Sequence, residues 1–542
     1  MRQYFFLLVA LILMACHTDE SNSGQHYGVV TSASPEATQA GMEILKQGGN
    51  AIDAAVAVSF VLGVTEPAMS GLGGGTQMLL AVPGQKPISI NGTTWSPAAT
   101  PVDATQTDLK YHRRSTIPST VKVLDFVLRK YGSGHISWEE TVAPAIQFAE
   151  NGFKVGEFRH RVYKLEEDEL RNSPYSTGSW LMSDGTIPAV GETIVQSVLA
   201  KTLRQLARNG ANDFYKGEIA TLIAEDMAEN GGWITLADLH NFPEPVELTP
   251  LNTNYRGFRV YSQPPPSGGW AVLMILNLLE HAAVDELLEP DTRTRIILEA
   301  LHITHQNRKN APVEDLANYH SAIEEKVSKS YAAELLSNFS GNTGSELLFE
   351  TESGETTHFS IVDNDGMAVA VTTSINAIFG AKAASPKLGF LYNTYMDDFE
   401  LGKPQHPFAI RPNAMAYSSM SPTIVQKDGQ TVLVLGSPGS ARIISAVAQV
   451  TQQWIDSDLG IVEVVAMPRL HSVDGKVYLE NLENNDGILD VLRSEGFEVF
   501  FPADDLARNG MNAYFGGIHA IAREGELWKG VADPRRDGLS SN

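Results

Sequence analysis

The chain carries two hydrophobic textures in succession. In the first part, apolar residues gather in helix-length blocks punctuated by glycine. "SPEATQAGMEILKQGG" predicts a helix stopped by Gly48 and Gly49. "NAIDAAVAVSFVLGV" predicts a second helix with Asn50 as its N-cap. It is apolar on nearly every face, so it is expected to be buried. "GLGGGTQMLLAV" follows as a glycine turn and a strand. The stretch from Ser137 to Ala317 reads as mostly helical. Within it, "QPPPSGGWAVLMILNLLE" predicts a rigid proline turn, two glycines and an amphipathic helix. From Thr356 onward the pattern changes to strands and turns, as in "FSIVDNDGMAVAV", "MSPTIVQKDGQTVLVLG" and "HAIAREGELWKG". Helices followed by strands suit an α+β architecture, or two parts of one domain.

One predicted hairpin carries hydroxyls at both ends. "TTHFSIVDNDGMAVAVTTS" opens on Thr356 and Thr357 and closes on Thr372, Thr373 and Ser374. A three-residue loop Asn364–Asp365–Gly366, with a left-handed glycine, pairs Asp363 with Met367 and sets Thr356 opposite Ser374. A two-residue loop shifts the register by one and sets Thr373 there instead. Directly opposed residues have Cβ atoms about 4.5–5.5 Å apart, so either register brings hydroxyl to hydroxyl. Such pairs also serve as ordinary sheet stabilisers.

Composition narrows the function class. The chain has 542 residues, of which 43% are hydrophobic, as in a globular protein. Acids outnumber bases 64 to 40, and the net charge of -24 argues against nucleic acid as a partner. The single cysteine, Cys16, excludes an intrachain disulfide. It ends "MRQYFFLLVALILMAC", which has a basic start, a short apolar run and a small residue, the layout of an export signal. "LMAC" resembles a bacterial lipobox, in which the cysteine is lipidated and becomes the mature N-terminus. A polar tether, "HTDESNSGQH", follows. The expectation is an exported bacterial lipoprotein, anchored at the periplasmic face or the cell surface. Gly71–Gly75 follows a helix and precedes a strand, the reverse of a dinucleotide fingerprint, so backbone turning is expected there. No HExxH or Cys/His spacing appears, and neither a metal nor another cofactor is expected.

The ordered run "EILKQGGNAIDAAVAV", "FYKGEIA", "YRGFRVYSQPPPSGG", "TTHFSIVDNDGMAVAVTTSIN", "LYNTYMDDF", "SSMSPTIV", "GSPGSARI", "GGIHAI" and "ADPRRDG" resembles the γ-glutamyltransferase (γ-glutamyltranspeptidase) family. The resemblance spans nearly the whole mature chain. It implies an α+β four-layer αββα sandwich of the N-terminal nucleophile hydrolase type. It also implies a precursor that cuts itself between Glu355 and Thr356 into a heterodimer. The implied division is 1–15 signal peptide, 16–30 tether, 31–355 large subunit and 356–542 small subunit, interwoven in one catalytic domain. The implied activity is hydrolysis of γ-glutamyl amides such as glutathione, or transfer of the γ-glutamyl group to an amine. A same-fold acylase for non-glutamyl acyl groups and a catalytically silent surface binding protein are the alternatives.

The resemblance also implies roles, position by position. Thr356 is the nucleophile and Ser374 orients it. The N–H groups of Gly439 and Ser440 form the oxyanion hole, with Ser440 standing where the family has glycine. Asp398 and Asn376 receive the substrate ammonium, and Ser418 and Ser419 its α-carboxylate. Tyr395 replaces a family glutamine or glutamate. Thr93 occupies the position of the family's carboxylate-clamping arginine, with Arg113 and Arg114 as candidate substitutes in an "HRR" run otherwise read as a solvated loop. Arg535 is expected in structural ion pairing. The connection from Asp398 to Ser418 is shorter than in members that carry a lid.

Overall fold

The computed structural model describes residues 27–175, 180–308, 323–338, 355–473, 476–480, 486–494 and 497–541. Cys16 and its leader lie outside them. Two antiparallel sheets stack at the centre. Among the described residues the first has seven strands, in the order Leu539–Ser540, Gly28–Ser32, Thr357–Asp363, Ala368–Ser374, Gly75–Ala81, Ile88–Gly92 and Val246–Leu248. The second has six: Leu527–Ala532, His519–Glu524, Gln430–Gly436, Thr423–Lys427, Phe258–Ser262 and Leu251–Tyr255. Both sheets therefore mix strands from before and after residue 355.

The two-residue period of the strands sorts side chains into layers. In the first sheet, Leu79, Ala81, Val362, Ala368 and Ala370 face the second sheet and meet Ile424, Val434 and Ile521. Their neighbours Met78, Leu80, Ile361, Val369 and Val371 face the opposite way, into a core shared with the helix Ala51–Thr65. On the far side, Val425, Leu433, Leu435, Ala520 and Ala522 pack on the helices Gly269–Leu279 and Arg442–Asp456. This is the four-layer αββα sandwich. A one-residue slip of any central strand would exchange its two apolar faces, so the register is tightly specified.

Local signals explain the helices near the site. Asn50 caps Ala51–Thr65 through a reciprocal capping box with Asp53, and nearly every residue of that helix is buried. Gly269–Leu279 is buried on all faces, not amphipathic as expected, because it is enclosed between the second sheet and the helices Pro290–Arg308 and Arg442–Asp456. The supposedly helical middle also yields a hairpin, Leu251–Tyr255 with Phe258–Ser262, which supplies an edge of the second sheet. Its short alternating runs carry a period of two that the surrounding helical texture masked.

The glycine run serves close packing. A Cβ at Gly73 would sit 2.1 Å from the Leu391 carbonyl oxygen, and one at Gly74 would sit 2.3 Å from that of Ser374. Only glycine lets this loop lie against the end of the hydroxyl-bearing hairpin.

Candidate active site

The hairpin adopts the three-residue loop. Gly366 has φ +84°, the Asp363 N–H donates to the Met367 carbonyl at 3.0 Å, and Ile361 pairs with Val369. The Asp363 carboxylate ties this loop to the adjoining helix by accepting from the N–H of Ala51 at 2.9 Å. Continuing the register brings Thr356 across from Ser374. The Thr356 hydroxyl donates to Ser374 Oγ at 3.2 Å, and both side chains are buried.

Ser374 links the hydroxyl to the peptide bond that precedes it. The Ser374 hydroxyl donates to the Glu355 carbonyl oxygen at 2.8 Å, while the Asn376 N–H donates to Ser374 Oγ at 2.8 Å. The Glu355 N–H donates to the Asn376 carbonyl at 2.5 Å. One serine thus accepts from the nucleophile and donates to the carbonyl the nucleophile would attack. This geometry can pass a proton from Thr356 to the carbonyl oxygen as the Thr356 oxygen adds to the carbon. The Glu355 carboxylate is itself buried, 2.6 Å from Arg536 Nη2 and 3.2 Å from Arg442 Nη2.

Thr356 opens onto a cleft of about 410 Å3. Asn376, Tyr395, Asp398, Ser418, Ser419 and Ser440 also line it. The structure therefore brings together most of the residues singled out from sequence. Asn376 has φ +72° and donates from Nδ2 to Asp398 Oδ1 at 3.2 Å, which orients the carboxylate in the cleft. Burial raises the Tyr395 phenol well above its ordinary value, while hydrogen bonds with Ser374 and Ser418 act in the opposite sense. It therefore stays a neutral hydroxyl between nucleophile and cleft wall. The short connection after Asp398 is part of the wall: Phe399, Glu400, Leu401, Lys403, Phe408 and Tyr417 all face the cavity.

The turn before the helix Arg442–Asp456 supplies backbone donors. Gly439 has φ +119° and Ser440 φ +53°. Serine therefore adopts a left-handed conformation usually left to glycine, at a cost of about 1–2 kcal/mol. Among the described residues neither N–H has an acceptor, whereas both carbonyls are used by the first turns of the helix. Ser440 lines the cleft with Thr356, and Gly439 precedes it in the same turn.

Thr93 is a correction. Its hydroxyl donates to the Ala416 carbonyl at 2.8 Å, and its side chain lines a separate cavity against Trp95, Phe242 and Met415. It is not among the residues that line the cleft. Arg113 and Arg114 do not replace it. Arg113 Nε donates to the Gly231 carbonyl at 2.9 Å, and its guanidinium lies over Trp233. Arg114 forms a bidentate pair with Asp397, so the "HRR" run is half engaged in ion pairing rather than wholly solvated. Burial raises the Asp397 carboxyl, and Arg114 counters that.

The arginine that does line the cleft is Arg308, which sequence reasoning missed. It ends the helix Pro290–Arg308, stacks over Tyr417 and donates from Nη2 to Ser419 Oγ at 2.6 Å. No spacing signal marks it, because it meets Ser419 from a helix more than a hundred residues away. Arg535 sits in a fully buried ion cluster with Glu480 and Asp533, away from the cleft. No group of three potential metal ligands occurs among the described residues.

Comparison with known proteins places these features in context. The family model for gamma-glutamyltranspeptidase matches residues 37–542. A glutathione hydrolase proenzyme of Escherichia coli (strain K12) is 37% identical over 472 residues, covering 82% of this chain and 80% of the relative. An acylase ACY 1 proenzyme of Pseudomonas sp. (strain V22) is 30% identical, covering 94% of this chain and 92% of its own. The crystal structure of a cephalosporin acylase from Bacillus halodurans superposes with a TM-score of 0.82 at 24% identity, covering 95% of each chain. The last likeness supports the fold.

Proposed function

This chain belongs to the γ-glutamyltranspeptidase family, and on that premise we propose that it is a self-processing threonine-nucleophile enzyme acting on γ-glutamyl amides. The observation that carries the reading is the chain of hydrogen bonds from Thr356 through Ser374 to the Glu355 carbonyl. In the precursor, Thr356 Oγ1 adds to the Glu355 carbonyl carbon and the peptide C–N bond breaks. The nitrogen takes a proton and becomes the α-amine of Thr356, leaving an ester. Water then hydrolyses the ester, which frees the Glu355 carboxylate and restores the hydroxyl.

The new amine, with an ordinary pKa of about 7.7–8.0, is the base for turnover. It takes the Thr356 hydroxyl proton, directly or through water, as the oxygen attacks the donor amide. The N–H groups of Gly439 and Ser440 hold the oxyanion, the amine leaves, and water or an acceptor amine resolves the acyl ester. Asp398, held by Asn376, receives the donor's ammonium. Ser418 and Ser419, with Arg308 behind them, receive its carboxylate.

A specific observation supports a second reading. Thr93 offers no guanidinium to the cleft, and relatives named as acylases match at the same identity as some glutathione hydrolases. An acylase for non-glutamyl acyl groups is that alternative. A donor panel on purified protein separates the two: γ-glutamyl anilide outpaces acyl anilides lacking the α-ammonium under the first reading and trails them under the second. Self-cleavage is tested by terminal sequencing, which should find fragments Cys16–Glu355 and Thr356–Asn542. Thr356→Ala should remain one chain and lose all activity, because one hydroxyl serves both reactions. An intact, active wild-type chain would remove the proposal, and the silent binding role fails if turnover is seen.

The leader extends the proposal to location. Cys16 is the lipidated first residue of an exported, membrane-anchored protein, a reading supported by "LMAC" and the tether after it. Acyl mass on the first residue, and release of Cys16→Ser from membranes, are the expected results. A wild-type chain that partitions into buffer without acyl mass refutes it.

A further inference from the structure

The Glu355 side chain has no part in the chemistry just described, yet it is among the most completely enclosed carboxylates near the site. Glu355, Arg442 and Arg536 are each under 6% exposed. Arg442 comes from the first turn of its helix and Arg536 from the loop before the last strand, so two separate elements converge on one acid. Each cation is backed by an aromatic ring: Arg442 lies 4.4 Å from the centre of Tyr514, and Arg536 lies 4.6 Å from that of Phe158. Enclosing three charges is costly unless their geometry is fixed. That geometry bears directly on the peptide to be cut. The backbone N–H of the same residue is fixed on Asn376 and its carbonyl on Ser374. Glu355 is thus held at three points: amide, carbonyl and carboxylate.

We propose that the Glu355 carboxylate, clamped by Arg536 and Arg442, is an electrostatic latch that positions the scissile peptide for self-cleavage. The inference rests on the self-processing reading above. Without the latch, residue 355 keeps only its backbone bonds, and the carbonyl carbon spends less time in line with Thr356 Oγ1. Glu355 and Arg536 act here as positioning residues; the bonds made and broken remain those between Thr356, the Glu355 carbonyl and water.

The test follows conversion of freshly made full-length chain into two fragments on denaturing gels. Glu355→Gln keeps size and hydrogen-bonding capacity but removes the charge, and Arg536→Met removes the partner. Each is expected to slow cleavage about ten- to a hundredfold, the weight of a charged hydrogen bond expressed as a rate. The double variant should be no slower than the slower single one, because both remove the same contact. Arg536→Lys should recover part of the rate. Activity per mole of cleaved chain should match wild type in Glu355→Gln, a result that general damage to the fold would not give. Wild-type cleavage with an unchanged rate in Glu355→Gln overturns the latch alone. Single-variant effects that multiply in the double variant overturn it too, since they would be independent structural losses. A wild-type chain that never cleaves overturns both the latch and the reading beneath it.

Discussion

Arg535 and Arg536 are adjacent in sequence and both almost wholly buried, yet they enter two ion networks of opposite character. The Arg535 network is balanced. Two arginines, Arg535 and Arg469, meet two acids, Asp533 and Glu480. Its acids are satisfied further by backbone: Asp533 accepts from the N–H of Ile518 at 2.7 Å and Glu480 from that of Asn512 at 2.6 Å. Burial alone would raise the Asp533 carboxyl, but Arg469 and Arg535 hold it well below its usual range. The Arg536 network joins two guanidiniums to the single carboxylate of Glu355. Arg536 Nε and Nη1 have no hydrogen-bond partner among the described residues. A charge-balanced network suits a permanent joint. One that depends on the residue at the cut suits a temporary state, since cleavage frees that residue to move.

The comparison is broken most forcefully at Arg535. Arg535→Met leaves two buried acids short of a partner and should cost about 3–5 kcal/mol of stability. Loss of the folded chain, or a large drop in its urea midpoint, is the expected readout. If Arg536→Met destabilises as much, the distinction between the networks fails.

A second substitution separates the latch from the cleft. Asp398→Asn removes the charge facing the donor's ammonium and should lower kcat/KM by about ten- to a hundredfold. The rate of self-cleavage should not change, because Asp398 touches Asn376 rather than the Glu355 carboxylate. Parallel gel and steady-state measurements on one preparation check both halves.

A third prediction concerns pH. Burial depresses the His519 pKa from 6.5 to about 3, while Asp533 and Arg536 act on it in opposite senses. His519 stays neutral in the folded chain while the unfolded chain takes up a proton below pH 6.5. Stability from this residue is therefore complete above pH 6.5 and falls as pH drops towards 3. The loss by pH 5 is roughly 2 kcal/mol. Urea midpoints at pH 7 and pH 5 should lie closer together in His519→Asn than in wild type; the gap that remains belongs to His358 and His471, whose pKa values burial also depresses.

The smallest effect is expected at Thr93. Thr93→Val deletes only the hydroxyl bonded to the Ala416 carbonyl. It should leave KM for γ-glutamyl donors within about twofold, since no interaction with the donor is removed. A larger rise would return Thr93 to the cleft.

What the sequence determined by itself was local. Turn chemistry at Asn364–Gly366 placed the hairpin and brought hydroxyl to hydroxyl at its open end, and the structure chose, of the two registers the turn allowed, the one that aligns Thr356 with Ser374. The cap at Asn50 and the all-apolar helix after it were equally legible, since both depend on neighbours within a turn or two. The ordered landmarks also named the residues that line the cleft around Asp398, Ser418 and Ser419. Tertiary structure alone decided which cations go where. Arg308, Arg442 and Arg536 reach Ser419 and Glu355 across 111, 87 and 181 residues of chain. No periodicity records such meetings. The direction of a long side chain at a helix end or in a loop is set by what packs beside it, here Tyr417, Tyr514 and Phe158. Thr93 shows the converse. Its place in the sequence aligned it with a clamp, but the nearby Ala416 carbonyl took its hydroxyl, and only the packed structure puts that carbonyl within reach.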